Sequence, residues 1–135
     1  GDGAHVLVEA HVAGSVAELL VTVRLEDPVG WLLTVGAGGT LVEVLADTRS
    51  LLLPVSDDDV RAALRSLAIW PLLDGHRGRP GADVDAVVDA VLALAGAATG
   101  TEGLVEVEVN PLLAAPGGAT VVDALVTCAL PGEPA

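Results

Sequence analysis

Residues 106–113 of this chain read Glu-Val-Glu-Val-Asn-Pro-Leu-Leu, and residues 117–123 read Gly-Gly-Ala-Thr-Val-Val-Asp. The alternation predicts a β-strand in which Glu106, Glu108 and Asn110 share one face while the intervening valines face the core. Pro111 is expected to end the hydrogen-bond ladder, and the glycines that follow are expected to make a turn. The returning strand then brings Asp123 alongside the first one. This stretch therefore predicts a β-hairpin with one oxygen-rich face.

Oxygen-bearing side chains on one face are the ligands that hard divalent cations prefer. Magnesium usually takes one or two ligands from protein and completes its shell with substrate phosphates and water. Asn110 and Asp123 are candidates for that pair. The alternative is an edge hairpin whose acidic face is only solvated, because alternating glutamate and valine is common in exposed strands. The pattern alone leaves both interpretations open.

Three ordered segments resemble the ATP-grasp subunit of the NDP-forming acyl-CoA synthetases, the wider group that includes succinyl-CoA synthetase. They are the hairpin, residues 35–47 (VGAGGTLVEVLAD) and residues 71–80 (PLLDGHRGRP). The resemblance implies that Asn110 and Asp123 bind Mg²⁺, with Glu108 acting beside them or through water. It also implies ATP or ADP as the nucleotide.

The glycine run that contains Gly38 and Gly39 lacks the Gly-Lys-Ser/Thr ending of a P-loop. A close backbone approach or a hairpin turn between two strands explains the run economically. The resemblance instead implies that it lies near the nucleotide and contacts phosphate through backbone N–H groups. Glu43 alternates with valines just downstream, so it is a candidate for the same cleft as Asn110.

Two further acidic residues are candidate nucleotide-site residues. Glu9 and Glu18 resemble acids of the ATP-grasp strands that pass the adenine and the ribose or metal. The matching stretch is short, and each of the two residues also has a purely structural explanation. Glu9 is equally consistent with a solvent-facing position of an alternating strand, and Glu18 with the edge of an apolar one.

The segment from Asp74 to Pro80 holds two of the six basic residues of the chain, Arg77 and Arg79. This concentration favours a phosphate or carboxylate partner, because the guanidinium fork suits bidentate contact with either. The alternative is that both arginines tie the loop to acidic neighbours such as Asp74 or Glu43. His76 has no partner at metal-ligand spacing and is expected to be a surface histidine.

The remaining pattern predicts an α+β fold: a mixed, mostly antiparallel sheet with two helices on one face, which agrees with the C-terminal lobe of an ATP-grasp fold. One helix begins after Ser56, with Asp57, Asp58 and Asp59 in its first turn as capping residues rather than metal ligands. Trp70-Pro71 is expected to end this helical region. The second helix begins near Asp83, and residues 96–103 are expected to be a loop. The other predicted strands are His5–His11, Glu18–Leu25, Trp31–Val35, Leu41–Ala46 and Leu51–Val55.

Composition excludes several classes of function. The net charge is −13 and all six basic residues are arginine, so no basic patch is expected to bind nucleic acid or an anionic membrane surface. No apolar run approaches the roughly 18–20 residues of a membrane span. A lone Cys128 is expected to be a small buried hydrophobe in the last strand. The chain is expected to be cytoplasmic.

We expect residues 1–130 to form the C-terminal lobe of an ATP-grasp domain and residues 131–135 to form a tail. The chain has no methionine and no lysine, whereas the resembling enzymes use lysines of an N-terminal lobe to hold phosphates. We therefore expect a fragment or processed piece that lacks this lobe and the CoA-binding and phosphohistidine domains, and that does not turn over alone. Exposed apolar surface on such a piece favours a homo-oligomer.

Departures from the family pattern keep other functions open. Leu125 stands where the family has a basic residue after Asp123-Ala124, and the turn Asp27–Gly30 lacks the family's aromatic residue. These losses suit a non-catalytic ATP-grasp-like regulatory or docking module, for example one attached to an acyltransferase. A plainer alternative is an acidic scaffold domain without a ligand.

Overall fold

The computed structural model describes residues 3–39, 46–130 and 132. The strands are β1 (Ala17–Glu26), β2 (Gly30–Ala37), β3 (Thr48–Leu52), β4 (Leu104–Ala115), β5 (Gly118–Val121) and β6 (Ala124–Cys128). The helices are α1 (Asp57–Arg65), α2 (Trp70–Asp74) and α3 (Val84–Gly100).

The strands form one sheet in the order β3-β2-β1-β4-β5, with β6 also paired to β4. All the pairings within the described ranges are antiparallel. Because β1 lies between β2 and β4, it is the central strand. The helices pack on one face of this sheet, with α3 against β1, β4 and β5 and α1 against β2 and β3. The predicted α+β fold, an antiparallel sheet with helices on one face, is confirmed.

The core lies between the sheet and the helices. Along β1, alternate residues are buried, as the side-chain period of a strand requires. The residues between them, such as Glu18, Thr22 and Arg24, lie on the other face and are half-buried or exposed. Across the core, α1 contributes Val60 and Leu64, both fully buried. The polar face of the sheet is therefore the open one.

Short-range hydrogen bonds define the start of each long helix. The Ser56 side chain accepts from the Asp59 N–H at 3.2 Å, while the Asp59 carboxylate accepts from the Ser56 N–H at 2.8 Å, which makes a capping box. These bonds from Ser56 lower the pKa of Asp59. Asp83 caps α3 by accepting from the Ala86 N–H at 3.0 Å. The prediction that the acidic turn caps α1 is confirmed.

No helix in the described ranges has the length and apolarity that crossing a membrane requires.

Two boundary predictions for the helices are wrong. Residues 96–100 continue α3 rather than forming a loop, because Ala95 and Ala98 still pack into the core and hold the last turns in place. Trp70-Pro71 does not end the helical region but begins the short helix α2. Proline is tolerated in a first turn, where its missing N–H has no helical partner to lose.

Three further sequence predictions have different outcomes. His5–His11 is not a strand: both edges of the neighbouring β1 are taken by β2 and β4, and Val6, Leu7 and Val8 are 81–87% exposed. The predicted strand Leu41–Ala46 lies almost wholly outside the described residues. Cys128 lies in β6 but is exposed rather than buried, since α3 packs mainly on β1, β4 and β5.

Candidate functional site

A β-bulge in β4 marks the centre of the predicted site. Leu19 pairs with Leu112 and Val21 pairs with Val109, so the single residue Leu20 lies opposite both Asn110 and Pro111. Pro111 therefore does not end the strand, which continues to Ala115; this prediction is wrong, because the bulge accommodates the missing donor. Bulges re-aim side chains and are frequent beside active sites.

The strand pairing along the other edge of β4 is interrupted at the same place. β5 and β6 pair with β4 in a common register, and the two residues between them, Val122 and Asp123, stay bonded to β4. The Asn110 N–H donates to the Asp123 carbonyl at 3.2 Å, and the Val122 N–H donates to the Pro111 carbonyl at 3.2 Å. Asn110 and Asp123 are thus neighbours across the hairpin, joined by a backbone hydrogen bond. The predicted return of Asp123 alongside Asn110 is confirmed.

The glycine run at the end of β2 contacts this bulge. The Gly39 N–H donates to Oδ1 of Asn110 at 2.9 Å, and the Gly38 N–H donates to the Glu18 carbonyl at 2.8 Å. Gly38 has no room for a side chain, and Gly39 has a φ of 72°, a conformation that L residues rarely adopt. A Cβ at Gly38 would lie 2.5 Å from the Leu19 carbonyl carbon, and one at Gly39 would overlap the Glu18 carboxylate. The close-approach interpretation of this run is confirmed, and it brings together Glu18, Gly39 and Asn110.

Glu9 lies in the irregular segment before β1. It lines a cavity of ≈ 600 Å³ together with Glu18, Pro111 and Val122, which are neighbours of the Asn110–Asp123 pair. The structure therefore places Glu9 and Glu18 at one side of the pair, although the strand predicted for Glu9 does not form.

Glu108 lies further along β4. It is opposite Thr22 and lines a different, smaller cavity of ≈ 190 Å³ with Arg24 and Glu106. Asn110 is two positions further along the strand, a distance of roughly 7 Å. The structure therefore places Glu108 on the same face but beside the pair rather than within it. Glu43, the remaining candidate, lies outside the described residues.

The donor set of the pair fits magnesium. Oδ1 of Asn110 and the Asp123 carboxylate are hard oxygens, and the second lone pair of Oδ1 is left when the Gly39 N–H takes the first. Among the described residues, no three histidine, cysteine, aspartate or glutamate side chains converge in a way that would enclose an ion. Magnesium usually takes only one or two ligands from protein and keeps its other positions for water and phosphate oxygens, so two oxygen ligands are enough for it.

Sequence reasoning missed two residues near this region. Ser15 lines three neighbouring cavities around the start of β1. Asp47 is buried, and its carboxylate accepts from the Ala68 and Ile69 N–H groups at 2.8 and 3.1 Å. The partners of Asp47 are 21 and 22 positions away, so no local pattern could have revealed them.

Comparison with known proteins agrees with the resemblance. A family model described as an ATP-grasp domain matches residues 2–128. An ADP-forming acetate–CoA ligase of Methanocaldococcus jannaschii is 31% identical over 107 residues, which are 79% of this chain and 15% of that protein. The β subunit of ADP-forming acetate–CoA ligase II of Pyrococcus furiosus is 30% identical over 81% of this chain and 48% of the subunit.

A solved structure has the same fold. Acetyl-coenzyme A synthetase 1 of Ca. Korarchaeum cryptofilum, in complex with coenzyme A and Mg-AMPPCP, superimposes with a TM-score of 0.80 at 28% identity. The match covers 87% of this chain and 55% of that one. The chain thus spans less than half of the curated relatives described above. It belongs to the ATP-grasp domain family, and its homologues are ADP-forming acetyl-CoA synthetases.

Proposed function

We propose that this chain forms the magnesium- and nucleotide-binding wall of an NDP-forming acyl-CoA synthetase. The intact enzyme converts an acyl-CoA, ADP and phosphate into a carboxylate, CoA and ATP. The observation that carries this proposal is the pairing of Asn110 with Asp123 across the hairpin, with Oδ1 of Asn110 fixed by the Gly39 N–H at 2.9 Å.

Each candidate residue has a distinct task in this proposal. Oδ1 of Asn110 and the carboxylate of Asp123 ligate Mg²⁺, and Glu108 reaches the ion through water. Gly39 keeps the Asn110 amide oriented, and Glu18 lies against Gly39 at the edge of the phosphate-binding surface. Bound magnesium supplies positive charge that stabilises the phosphates during transfer. None of these side chains needs to act as an acid or base.

The three other assigned residues complete the nucleotide side of the site. Gly38 lets the backbone pass close to β1, which holds the glycine run beside Asn110 at the edge of the nucleotide site. Glu9 shares a cavity with Glu18, so we assign it to the same nucleotide edge. We assign Glu43 to the same nucleotide site on the basis of the resemblance alone.

The rest of the enzyme must come from elsewhere. Because the chain spans 15% of a single-chain relative and 48% of a β subunit, we assign residues 1–130 to one ATP-grasp lobe and residues 131–135 to a tail. The N-terminal lobe, the CoA-binding domain and the phosphohistidine domain then belong to the same chain or to a partner subunit. We therefore expect no turnover from the 135 residues alone.

A paramagnetic ion tests the site directly. Mn²⁺ replaces Mg²⁺ in oxygen-ligated sites and broadens the NMR signals of nearby nuclei. In the ¹⁵N-labelled chain with ADP, we expect Mn²⁺ to broaden the Gly39 and Asp123 amide signals and the Asn110 side-chain amide signals first. Excess Mg²⁺ should restore them.

The controls separate this site from general attraction to an acidic chain. Asp123→Ala should abolish the selective broadening, whereas Asp89→Ala removes an equal charge from an exposed position of α3 and should leave it unchanged. Broadening that is spread over the acidic surface, or that persists in Asp123→Ala, would count against the metal role.

A second candidate is a non-catalytic ATP-grasp-like regulatory or docking module. The specific observation in its favour is Leu125, which replaces a basic family residue and is 65% exposed in β6. This candidate requires no nucleotide. Selective, Mg²⁺-reversible broadening would therefore favour the enzyme lobe over the module.

A further inference from the structure

A second group of polar side chains lies in the loop that joins α2 to α3. This loop carries Arg77 and Arg79, in a chain with 19 acidic residues and a net charge of −13. Elsewhere, Arg24 pairs with Glu26, and Arg61 pairs with Asp57 and Asp85. Within the described residues, no carboxylate lies within ion-pair distance of Arg77 or Arg79. The interpretation that Asp74 holds them is therefore wrong, and Glu43, the other acidic neighbour named, lies outside the described residues.

The loop is closed by its own backbone. The Ala82 N–H donates to the Leu73 carbonyl at 2.8 Å, which joins the two ends of the loop. The Arg79 N–H donates to the His76 carbonyl at 3.0 Å, with Arg77 and Gly78 both at positive φ (51° and 76°). Positive φ at both central positions is the signature of a tight type I′ turn. The turn therefore presents Arg77 and Arg79 from a defined backbone rather than from a free tether.

These side chains line a cavity of ≈ 560 Å³. Arg77, Arg79 and His76 form one wall, Ser15 contributes a hydroxyl from the segment before β1, and Leu72 supplies apolar surface. The size falls within the range of small-molecule sites. Among the described residues, no aspartate or glutamate lines this cavity. Two guanidinium groups beside no described carboxylate, in so acidic a chain, favour an anionic ligand.

We propose that this cavity binds a phosphate group. Two guanidinium forks match tetrahedral oxyanions bidentately, and the Ser15 hydroxyl is a further donor. The site is separate from the Asn110–Asp123 pair and needs no metal, so it does not rest on the proposed function. It adjoins a second cavity of ≈ 280 Å³ that shares Ser15 and Leu72 with it and extends to Glu18 and Gly38. The bound group is either free phosphate or the phosphate of an ester.

Phosphate titration of the full 135-residue ¹⁵N-labelled chain tests this site. Inorganic phosphate is added at constant ionic strength and without Mg²⁺, while the Arg Nε–H signals and the Ser15 amide signal are followed. We expect saturable shifts at these groups. Arg77→Ala/Arg79→Ala should weaken binding by about tenfold or more, because charge-assisted hydrogen bonds are lost.

A matched double variant controls for charge. Arg24→Ala/Arg65→Ala removes the same two charges from exposed positions outside the cavity and should leave the phosphate affinity unchanged. Shifts that never saturate, or equal weakening in both double variants, would overturn the proposal. Unchanged signals outside the loop show that Arg77→Ala/Arg79→Ala is folded, and Arg77→Lys/Arg79→Lys, which keeps the charge without the fork, should bind with intermediate affinity.

Two further measurements identify the source of the phosphate and distinguish this site from the Asn110–Asp123 pair. Tighter binding of ADP than of phosphate, still without Mg²⁺, indicates an ester; the reverse order indicates free phosphate. Either result requires saturation at Arg77 and Arg79. Asp123→Ala should leave phosphate binding intact, so failure of the metal site would not remove this one.

Discussion

The backbone N–H of Gly39 donates to Oδ1 of Asn110 at 2.9 Å and joins two residues that are 71 positions apart in the chain. This bond ties the end of the glycine run to the bulge of β4. It fixes the orientation of a side-chain amide whose remaining lone pair is free to bind a cation. The geometry of the proposed metal site therefore depends on the glycine run as well as on the hairpin.

The close approach of the glycine run should be intolerant of a methyl group. Gly38→Ala places a Cβ 2.5 Å from backbone carbon of Leu19, so we expect the free energy of unfolding to fall by roughly 1–3 kcal/mol. Urea denaturation measures this change. Gly117→Ala adds a Cβ with no atom within 4 Å and should be nearly neutral. Equal losses of stability in the two variants would contradict the close approach of Gly38 to Leu19.

The buried carboxylate of Asp47 should be important for stability. Asp47→Ala leaves the Ala68 and Ile69 N–H groups without their acceptor, so we expect a loss of roughly 2–4 kcal/mol in the free energy of unfolding. Asp47→Asn retains one acceptor oxygen and should lose less. Denaturant melts of both variants test this order, and a neutral Asp47→Ala would contradict it.

The capping box at the start of α1 should make stability depend on pH. Asp59 has a lowered pKa in the folded chain because the Ser56 N–H and hydroxyl bond its carboxylate. Its contribution is therefore complete above the unfolded value of about 3.9 and is lost as the pH falls through the folded-state pKa. Asp59→Asn should be less stable at neutral pH and should converge with the parent chain in acid.

The hydroxyl of the same box is tested separately. Ser56→Ala removes the acceptor of the Asp59 N–H and should cost about 1 kcal/mol. Urea melts at neutral pH measure the loss. Parallel pH profiles of Asp59→Asn and the parent chain would contradict the role of the carboxylate in this box.

Much of the fold could be predicted from sequence because its signals are local. The alternation in Ala17–Glu26 and the capping residues Ser56 and Asp83 each depend on neighbours within a few positions. The failures are non-local. Whether His5–His11 forms a strand depends on a free sheet edge, and whether Cys128 is buried depends on how far α3 reaches.

The features of the candidate site were likewise predictable where they are local and not where they are non-local. The proximity of Asn110 and Asp123 follows from a hairpin with period-two strands and could be predicted. The bulge opposite Leu20 and the approach of Gly39 to Asn110 arise from pairing between distant strands, so sequence could not reveal them. The presence of Ser15 beside Arg77 and Arg79 likewise depends on how the segment before β1 lies against a loop that is distant in sequence.

The edge formed by β5 and β6 should promote self-association. Leu125 and Val126 are 65% and 54% exposed, and β6 pairs only with β4 among the described strands. Leu125→Lys places a charge on this edge and should shift the chain toward monomer in light scattering. Ala62→Lys adds the same charge at an exposed position of α1 and should not. A parent chain that is already monomeric would contradict this prediction.

The central claim is that Asn110 and Asp123 bind magnesium with a nucleotide. Calorimetric titration of ADP into the chain, with and without Mg²⁺, tests it most directly beside the Asn110→Ala/Asp123→Ala variant. We expect an additional component of binding heat that requires Mg²⁺ and disappears in the variant, while any Mg²⁺-independent binding at the Arg77–Arg79 cavity is the same in both chains. Identical isotherms for the two chains, with binding present or absent in both, would contradict the claim.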